Sequence, residues 1–426
     1  MNDAGHAVRR AETANKASLI NFPQSASRQK LRLDRLRAIC LFALVTAGFL
    51  GLSNAQAITF QVVDTNEFDR IIDTNAVHTT NATINTWLEG PTWIPSGGGY
   101  LVFCDQGNNR LKKLVPPGTV TDFLLPPANT LYNGTILDAR EQLLGCQAGG
   151  AGLRLVMVTN GIVTPLVSTC NGLKFYSPND VAVKSDGTVW FTDPGYNGGI
   201  GTPPQAGFQA GYYVYQFNPT NGNTTCTPVI TNGLIRPNGL CFSPDETKLY
   251  VADSDNAQHN IRVYTVSASN TLSGGAVFAN VTNGVPDGIH CDVDGRVWSS
   301  SGEGVYIFAA TDGHLIGKIK FLRTANLCFG GPQYKTLYMT GQPLVTSLPV
   351  RVAGTPALKK LQPGLSGGQL KISWPAPSTG FVLQEAAQLA PGNWTNSPVT
   401  PVVNLGLNTV SVNPTSSARF FRLLLN

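Results

Sequence analysis

Charge is scarce in this chain of 426 residues: Asp, Glu, Lys and Arg make up 13% of it, about half the ~25% usual in globular domains. That excludes a charge-rich coiled coil, and 42% apolar residues exclude a disordered chain. A basic face is also missing. The net charge of +5 arises within residues 1–38, which hold eight Lys/Arg and three acids, and the remainder balances at 22 of each sign. Nucleic-acid binding is therefore excluded. There is no C-x-x-C, which excludes thiol redox chemistry and zinc ribbons. The five histidines (His6, His78, His259, His290, His314) are scattered without metal-ligand spacing, which argues against a zinc hydrolase. His290, three residues after Asp287, reads as structural. No apolar run after Ala57 is long enough to span a membrane.

The amino terminus reads as an export signal. Basic residues up to Arg37 precede an apolar run from Ile39 to Leu52, and Ala55-x-Ala57 supplies small residues at cleavage-site spacing. The expectation is a signal peptide over 1–57 and a secreted or periplasmic protein. Seven cysteines remain after it, an odd number that leaves a free thiol. Five sit in apolar strand-like runs; Cys170 and Cys226 read as lying in polar loops, where they could pair.

What recurs is a short apolar strand, a Pro/Asp/Gly turn and a second strand ending in a small or acidic residue. The second strands begin at Leu101, Leu143, Val189, Leu249, Val297 and Leu337, spaced 42, 46, 60, 48 and 40 residues apart. Turns such as Ser185-Asp186-Gly187 and Asp294-Gly295 join adjacent antiparallel strands. Six units of this length predict an all-β chain: a six-bladed β-propeller over 58–350. The long step carries a Gly/Pro-rich insertion from Gly195 to Tyr212, read as a surface loop at the channel mouth. Ile58 to Ile72 is expected to supply an outer strand that closes the ring. A linker over 351–368 and a small β-sandwich-like module over 369–426 follow, the module with few carboxylates and no His. The G-x-S-x-G match at Gly364–Gly368 lacks the following helix that a nucleophile elbow requires.

Four first strands open on an oxygen-bearing residue beside Pro or Gly: Glu89-Gly-Pro91, Pro178-Asn179-Asp180, Pro237-Asn238-Gly239 and Pro286-Asp287-Gly288. Such residues also serve as plain turn formers. Innermost strands line the channel of a propeller, so side chains at their starts can converge from separate blades. An oxygen-only donor set suits a hard cation such as Ca²⁺ or Mg²⁺. Asn108-Asn109-Arg110 reads as a blade turn, with Arg110 a candidate substrate contact. Asp193 and Asp253 end second strands and are expected to bond backbone between blades, or one of them to hold a second, structural cation. Trp87 and Trp93 flank Glu89 and read as core.

The runs Glu89-Gly-Pro91…Trp93, Ser177-Pro-Asn-Asp180, Phe191-Thr-Asp-Pro194, Arg236-Pro-Asn-Gly239…Phe242-Ser-Pro-Asp245, Pro286-Asp-Gly288 and Leu327-Cys-Phe-Gly-Gly331 together resemble the gluconolactonase/senescence-marker-protein (regucalcin-like) family over Thr59 to Val350. That resemblance implies one catalytic divalent cation, Ca²⁺ first, with Mg²⁺, Mn²⁺ or Zn²⁺ as alternatives. Its ligands would be Glu89, Asn238 and Asp287. Asn179 would be a further ligand or a substrate contact, and Asp287 also the general base. The implied activity is hydrolysis of a sugar lactone; separately, charge and hydropathy lead to the expectation of a chain that binds neither nucleic acid nor, after signal cleavage, a membrane, and a monomer is expected. Two departures bear on substrate choice. The Cys-Glu-His-Gly stretch of many bacterial members reads Cys146-Gln147-Ala148-Gly149 here, and Ser177 stands where animal members carry Arg. The alternatives are another hydrolase on the same site, resembling the phosphotriesterase diisopropylfluorophosphatase, and a non-enzymatic binding propeller.

Overall fold

The computed structural model describes residues 57–426 except Ala151, 197–201, 357–358, Lys360, 390–391, 414–417 and Asn426. The signal peptide expected over 1–57 thus lies, up to residue 56, outside the described residues. Among the described residues no helix is long and apolar enough to cross a membrane.

Short runs of β-branched and aromatic residues form strands here because both faces of each sheet are covered by neighbouring sheets. The innermost strands are Leu88–Ile94, Tyr132–Leu137, Val181–Val183, Pro237–Phe242, Ile289–Cys291 and Asn326–Gly330. Each pairs antiparallel with the second strand read from the repeat, then with a third and a fourth outward. Each innermost strand packs against the next, and the sixth against the first, which makes a ring of six blades. The turns are those the sequence spelled. Asp186 Oδ1 accepts from Thr188 N at 2.9 Å, and Gly187 takes a left-handed φ of 86° that a side chain disfavours.

Ring closure differs from the expectation. Thr59–Val62 adds a fifth strand to blade five by pairing with Leu315–Lys320. The strand that closes blade six is Thr79–Thr83, paired with Leu344–Pro349. Between them Thr65–Ile71 is helical: Asp64 caps it, accepting from Glu67 N at 3.1 Å, and Phe68 and Ile71 are buried.

Apolar clusters fill the gaps between blades. Trp190 of blade three meets Phe242 of blade four at 5.5 Å, and Trp298 of blade five meets Phe329 of blade six at 5.2 Å. Trp93 of blade one stacks on Tyr338 of blade six at 5.6 Å. Such pairs add roughly 0.5–1.5 kcal/mol beyond their burial. All seven described cysteines are buried free thiols. Cys170 ends the short strand Thr169–Cys170 and Cys226 connects the helical turn Gly222–Thr225 to the strand Thr227–Ile230, yet both lie in the apolar cluster between blades two and three, with their thiols hydrogen-bonded.

The carboxy-terminal strands form two sheets. One orders Gln362–Ser366, Gln369–Pro375, Leu407–Val412 and Val402–Asn404; the other orders Thr395–Asn396, Phe381–Ala386 and Phe420–Leu425. Ile372, Trp374, Leu383, Val410 and Val412 pack between them. The first strand falls inside the expected linker, because Gly367 and Gly368, at φ 60° and 74°, turn Gly364–Gly368 into a hairpin. This module docks on blade two. Lys359 Nζ donates to Ala139 O at 2.7 Å and lies 3.5 Å from Glu141, whose carboxylate accepts from Thr379 N at 2.8 Å.

Candidate metal centre

Close approach of the innermost strands builds the centre. Gly239 N donates to Asp287 O at 3.1 Å, and a Cβ on Gly239 would lie 2.2 Å from that oxygen. Gly134 N donates to Asn179 O at 2.6 Å, and a Cβ there would lie 2.3 Å from Asp180 Oδ1. Only glycine allows blades four and five, or two and three, to meet so tightly. The polar residues beside these glycines are thereby drawn together at the mouth of the channel.

The first-strand residues are buried at Glu89, Asn179 and Asn238 and half-buried at Asp287. Glu89 Oε1 accepts from the Trp87 indole N–H at 2.9 Å, Oε2 accepts from Gly90 N at 3.3 Å, and the Asn326 amide donates to the same carboxylate. The Asn238 amide donates to Asp287. Burial raises the Glu89 carboxyl to about 7 against these hydrogen bonds. Burial, then the Glu89 charge, lifts Asp287 well above the carboxylate range. Asp180 is raised to about 7 by burial, in part offset by the Val181 N–H, with the Glu89 charge adding to the rise. Glu89, Asp180 and Asp287 therefore share one electrostatic site.

Support comes from the second strands. Asp253 accepts from Ile235 N and Arg236 N, each at 2.9 Å, and so fixes the turn that presents Asn238. Asp193 accepts from Tyr176 N at 2.8 Å and Ser177 N at 2.5 Å, and so fixes the turn before Asn179. Contrary to the expectation, these aspartates bond backbone within their own blade rather than between blades, because each faces the turn that enters its own innermost strand. Asn179 N is itself tied to Thr192 O at 2.8 Å.

Arg110 stands apart from this cluster. It opens the third strand of blade one, facing Asp122 at 3.8 Å, beside the Asp105–Asn108 turn. His290 lines a separate cavity of about 120 Å³ with Thr92, Cys241, Cys291 and Phe329, and burial lowers its pKa to about 4.

Sequence reading passed over four participants: Asp180, Asn326, Arg323 and Tyr196. Arg323 is exposed, sits 4.4 Å over the Trp87 ring, and its charge acts on both Glu89 and Asp287. Trp87 is thus a mouth residue, whereas Trp93 is core. Tyr196, from the insertion after Asp193, is hydrogen-bonded to Asn238 and Ser254. This puts the start of the insertion at the channel mouth.

Three neighbouring carboxylates with amide oxygens beside them fit a hard divalent cation, whose charge would offset the burial that chiefly raises their pKa values and the Glu89 charge that adds to it at Asp180 and Asp287. Among the described residues no three His, Cys, Asp or Glu side chains are grouped closely enough to hold an ion alone. A cation here would take part of its shell from amide oxygens. The residues fit it as Glu89, Asn238 and Asp287, with Asn179 adjacent.

Comparison with known proteins agrees with this architecture. The family described as SMP-30/Gluconolactonase/LRE-like region matches residues 87–342. A gluconolactonase from Zymomonas mobilis is 30% identical over 310 residues, 67% of this chain and 85% of the relative. A pentonolactonase from Haloferax volcanii is 25% identical over 257 residues, 59% of this chain and 80% of the relative. The solved structure of a gluconolactonase from Xanthomonas campestris superposes with a TM-score of 0.61 at 30% identity, covering 70% of this chain and 99% of that one.

Proposed function

We propose, from the premise that this chain belongs to the SMP-30/gluconolactonase/LRE-like family, that it is a lactonase that opens a sugar lactone with the help of one divalent cation. The observation that carries the reading is the convergence of Glu89, Asn238 and Asp287, from three blades, on one buried acidic site at the channel mouth. The names of the gluconolactonase and pentonolactonase relatives support the reaction class.

A lactone is a cyclic ester, and its hydrolysis needs stabilisation of a developing oxyanion and removal of a proton from water. A divalent cation held by Glu89, Asn238 and Asp287 would supply the first, worth several kcal/mol. Asp287 takes the water proton; the Asn238 amide, donating to its carboxylate, aims it. As the ring C–O bond breaks, the departing oxygen receives that proton and the product leaves as a hydroxy acid. Trp87 and Asn326 hold the Glu89 carboxylate in place. We further place the protein outside the cytoplasm, on the strength of the basic and apolar segments before Ala57; amino-terminal sequencing of the mature protein should begin at Ile58.

The test is proton release from glucono-1,5-lactone with and without chelator, in the native protein and in Asp287→Asn. The expectation is chelator-sensitive turnover that falls about 10²–10⁴-fold in the variant, with the fold retained. Chelator-insensitive activity, an active Asp287→Asn protein, or turnover of phosphotriesters alone would overturn the proposal.

A further inference from the structure

Two guanidiniums flank the acidic cluster, and the two are built alike. Arg236 lies two residues before Asn238 and Arg323 three before Asn326, on the blades either side of the one that carries Asp287. Each lies over an aromatic ring whose polar edge bonds a candidate ligand. Arg323 covers Trp87 at 4.4 Å, and Trp87 donates to Glu89. Arg236 covers Tyr212 at 4.5 Å and Tyr196 at 5.5 Å, and Tyr196 is hydrogen-bonded to Asn238. Elsewhere Arg70, Arg110, Arg296, Arg351 and Arg419 pair with carboxylates. Among the described residues the Arg236 and Arg323 guanidiniums do not, nor do Arg140, Arg154, Arg262 and Arg422, but only these two lie beside the acidic cluster; the Arg236 guanidinium donates only to Pro194 O, at 2.7 Å. Stacking holds both forks at the mouth while leaving N–H donors unused.

Charge then decides between substrates. With a divalent cation in place, the three carboxylates and two guanidiniums leave the site net positive. A neutral sugar lactone brings only hydroxyls to it. A guanidinium fork binds a carboxylate or phosphate through paired, charge-assisted hydrogen bonds, about twice as strong as neutral ones. We infer that the preferred substrate is a lactone with an anionic substituent, such as the monolactone of an aldaric acid, held by Arg236 and Arg323. This rests on the lactonase reading above.

The test compares kcat/KM for glucono-1,5-lactone, glucaro-1,4-lactone and 6-phosphoglucono-1,5-lactone in the native protein, Arg323→Gln, Arg236→Gln and Arg236→Lys. A preference of at least about tenfold for one of the anionic lactones is expected, and which of the two identifies the group. Arg323→Gln should lower the anionic-to-neutral ratio at least about tenfold, and Arg236→Lys should keep more of that ratio than Arg236→Gln. A second readout is binding of ring-opened glucarate against gluconate by calorimetry, where Arg323→Gln should weaken glucarate selectively. Among the described residues Arg323 forms no hydrogen bond to the insertion, so its variant separates recognition from loop disturbance. Equal turnover of neutral and anionic lactones, with ratios unmoved by the variants, would overturn this inference alone. Failure to hydrolyse any of the three would overturn the lactonase reading instead.

Discussion

Removing the cation should make the protein lose stability as pH rises through a narrow and predictable interval, and the loss should persist above it. Glu89 is buried, and in the cation-free fold its carboxyl is raised from 4.5 to about 7, chiefly by burial. Below about pH 4.5 the group is protonated both folded and unfolded, and contributes nothing. Between 4.5 and 7 the unfolded chain ionises while the folded one keeps its proton, so stability falls as pH rises. A carboxyl displaced that far costs about 3 kcal/mol once pH exceeds 7, or about 6 °C in Tm for a domain of this size. Asp180, raised in the same direction, adds to the loss. Carboxylates with lowered pKa, such as Glu67 beside Arg296, act in the opposite sense and only below about 4.5. The assay is thermal unfolding of chelator-treated protein at pH 5 and pH 8, beside Glu89→Gln. The native protein should lose about 6 °C more than the variant across that interval, and Ca²⁺ should restore it at pH 8 in the native protein only. Parallel pH trends in the two proteins would refute the electrostatic account of the site.

Two further perturbations separate the site from its scaffold. Gly239→Ala puts a Cβ 2.2 Å from Asp287 O, so blades four and five must part; a loss of about 1–3 kcal/mol is expected, with lactonase activity falling further than stability, read by paired melting and kinetics. Lys359→Met strips Glu141 of its buried partner, which should weaken docking of the carboxy-terminal module by about 3 kcal/mol. Limited proteolysis should then release that module while the propeller keeps its turnover.

The blades were legible because each second strand is a short apolar run closed by a small or acidic residue, a pattern local to the chain. Glu89, Asn238 and Asp287 were legible for a similar reason: each sits next to Pro or Gly at a repeat position. Ring closure was not, since Thr79–Thr83 is polar and offers no apolar alternation. The helix after Asp64 had a signal, an Asp with Glu67 three residues on, masked by the β-rich surroundings. Asp180 and Asn326 occupy positions where other blades carry glycine, and only the packed ring shows their side chains reaching a neighbouring blade. Arg323 and Tyr196 belong to turns and an insertion, whose positions follow from tertiary contacts rather than from periodicity. Cys170 and Cys226 misled because the polar residues around them face outward while the two thiols face the core.

The central claim is that oxygens from three blades hold one doubly charged ion, and anomalous diffraction from crystals soaked in Mn²⁺ tests it most directly. The account predicts a single strong peak among Glu89, Asn238 and Asp287, about 2.0–2.6 Å from their side-chain oxygens. A lactone-hydrolysing crystal form with no peak there, and with those side chains turned away from one another, would contradict it.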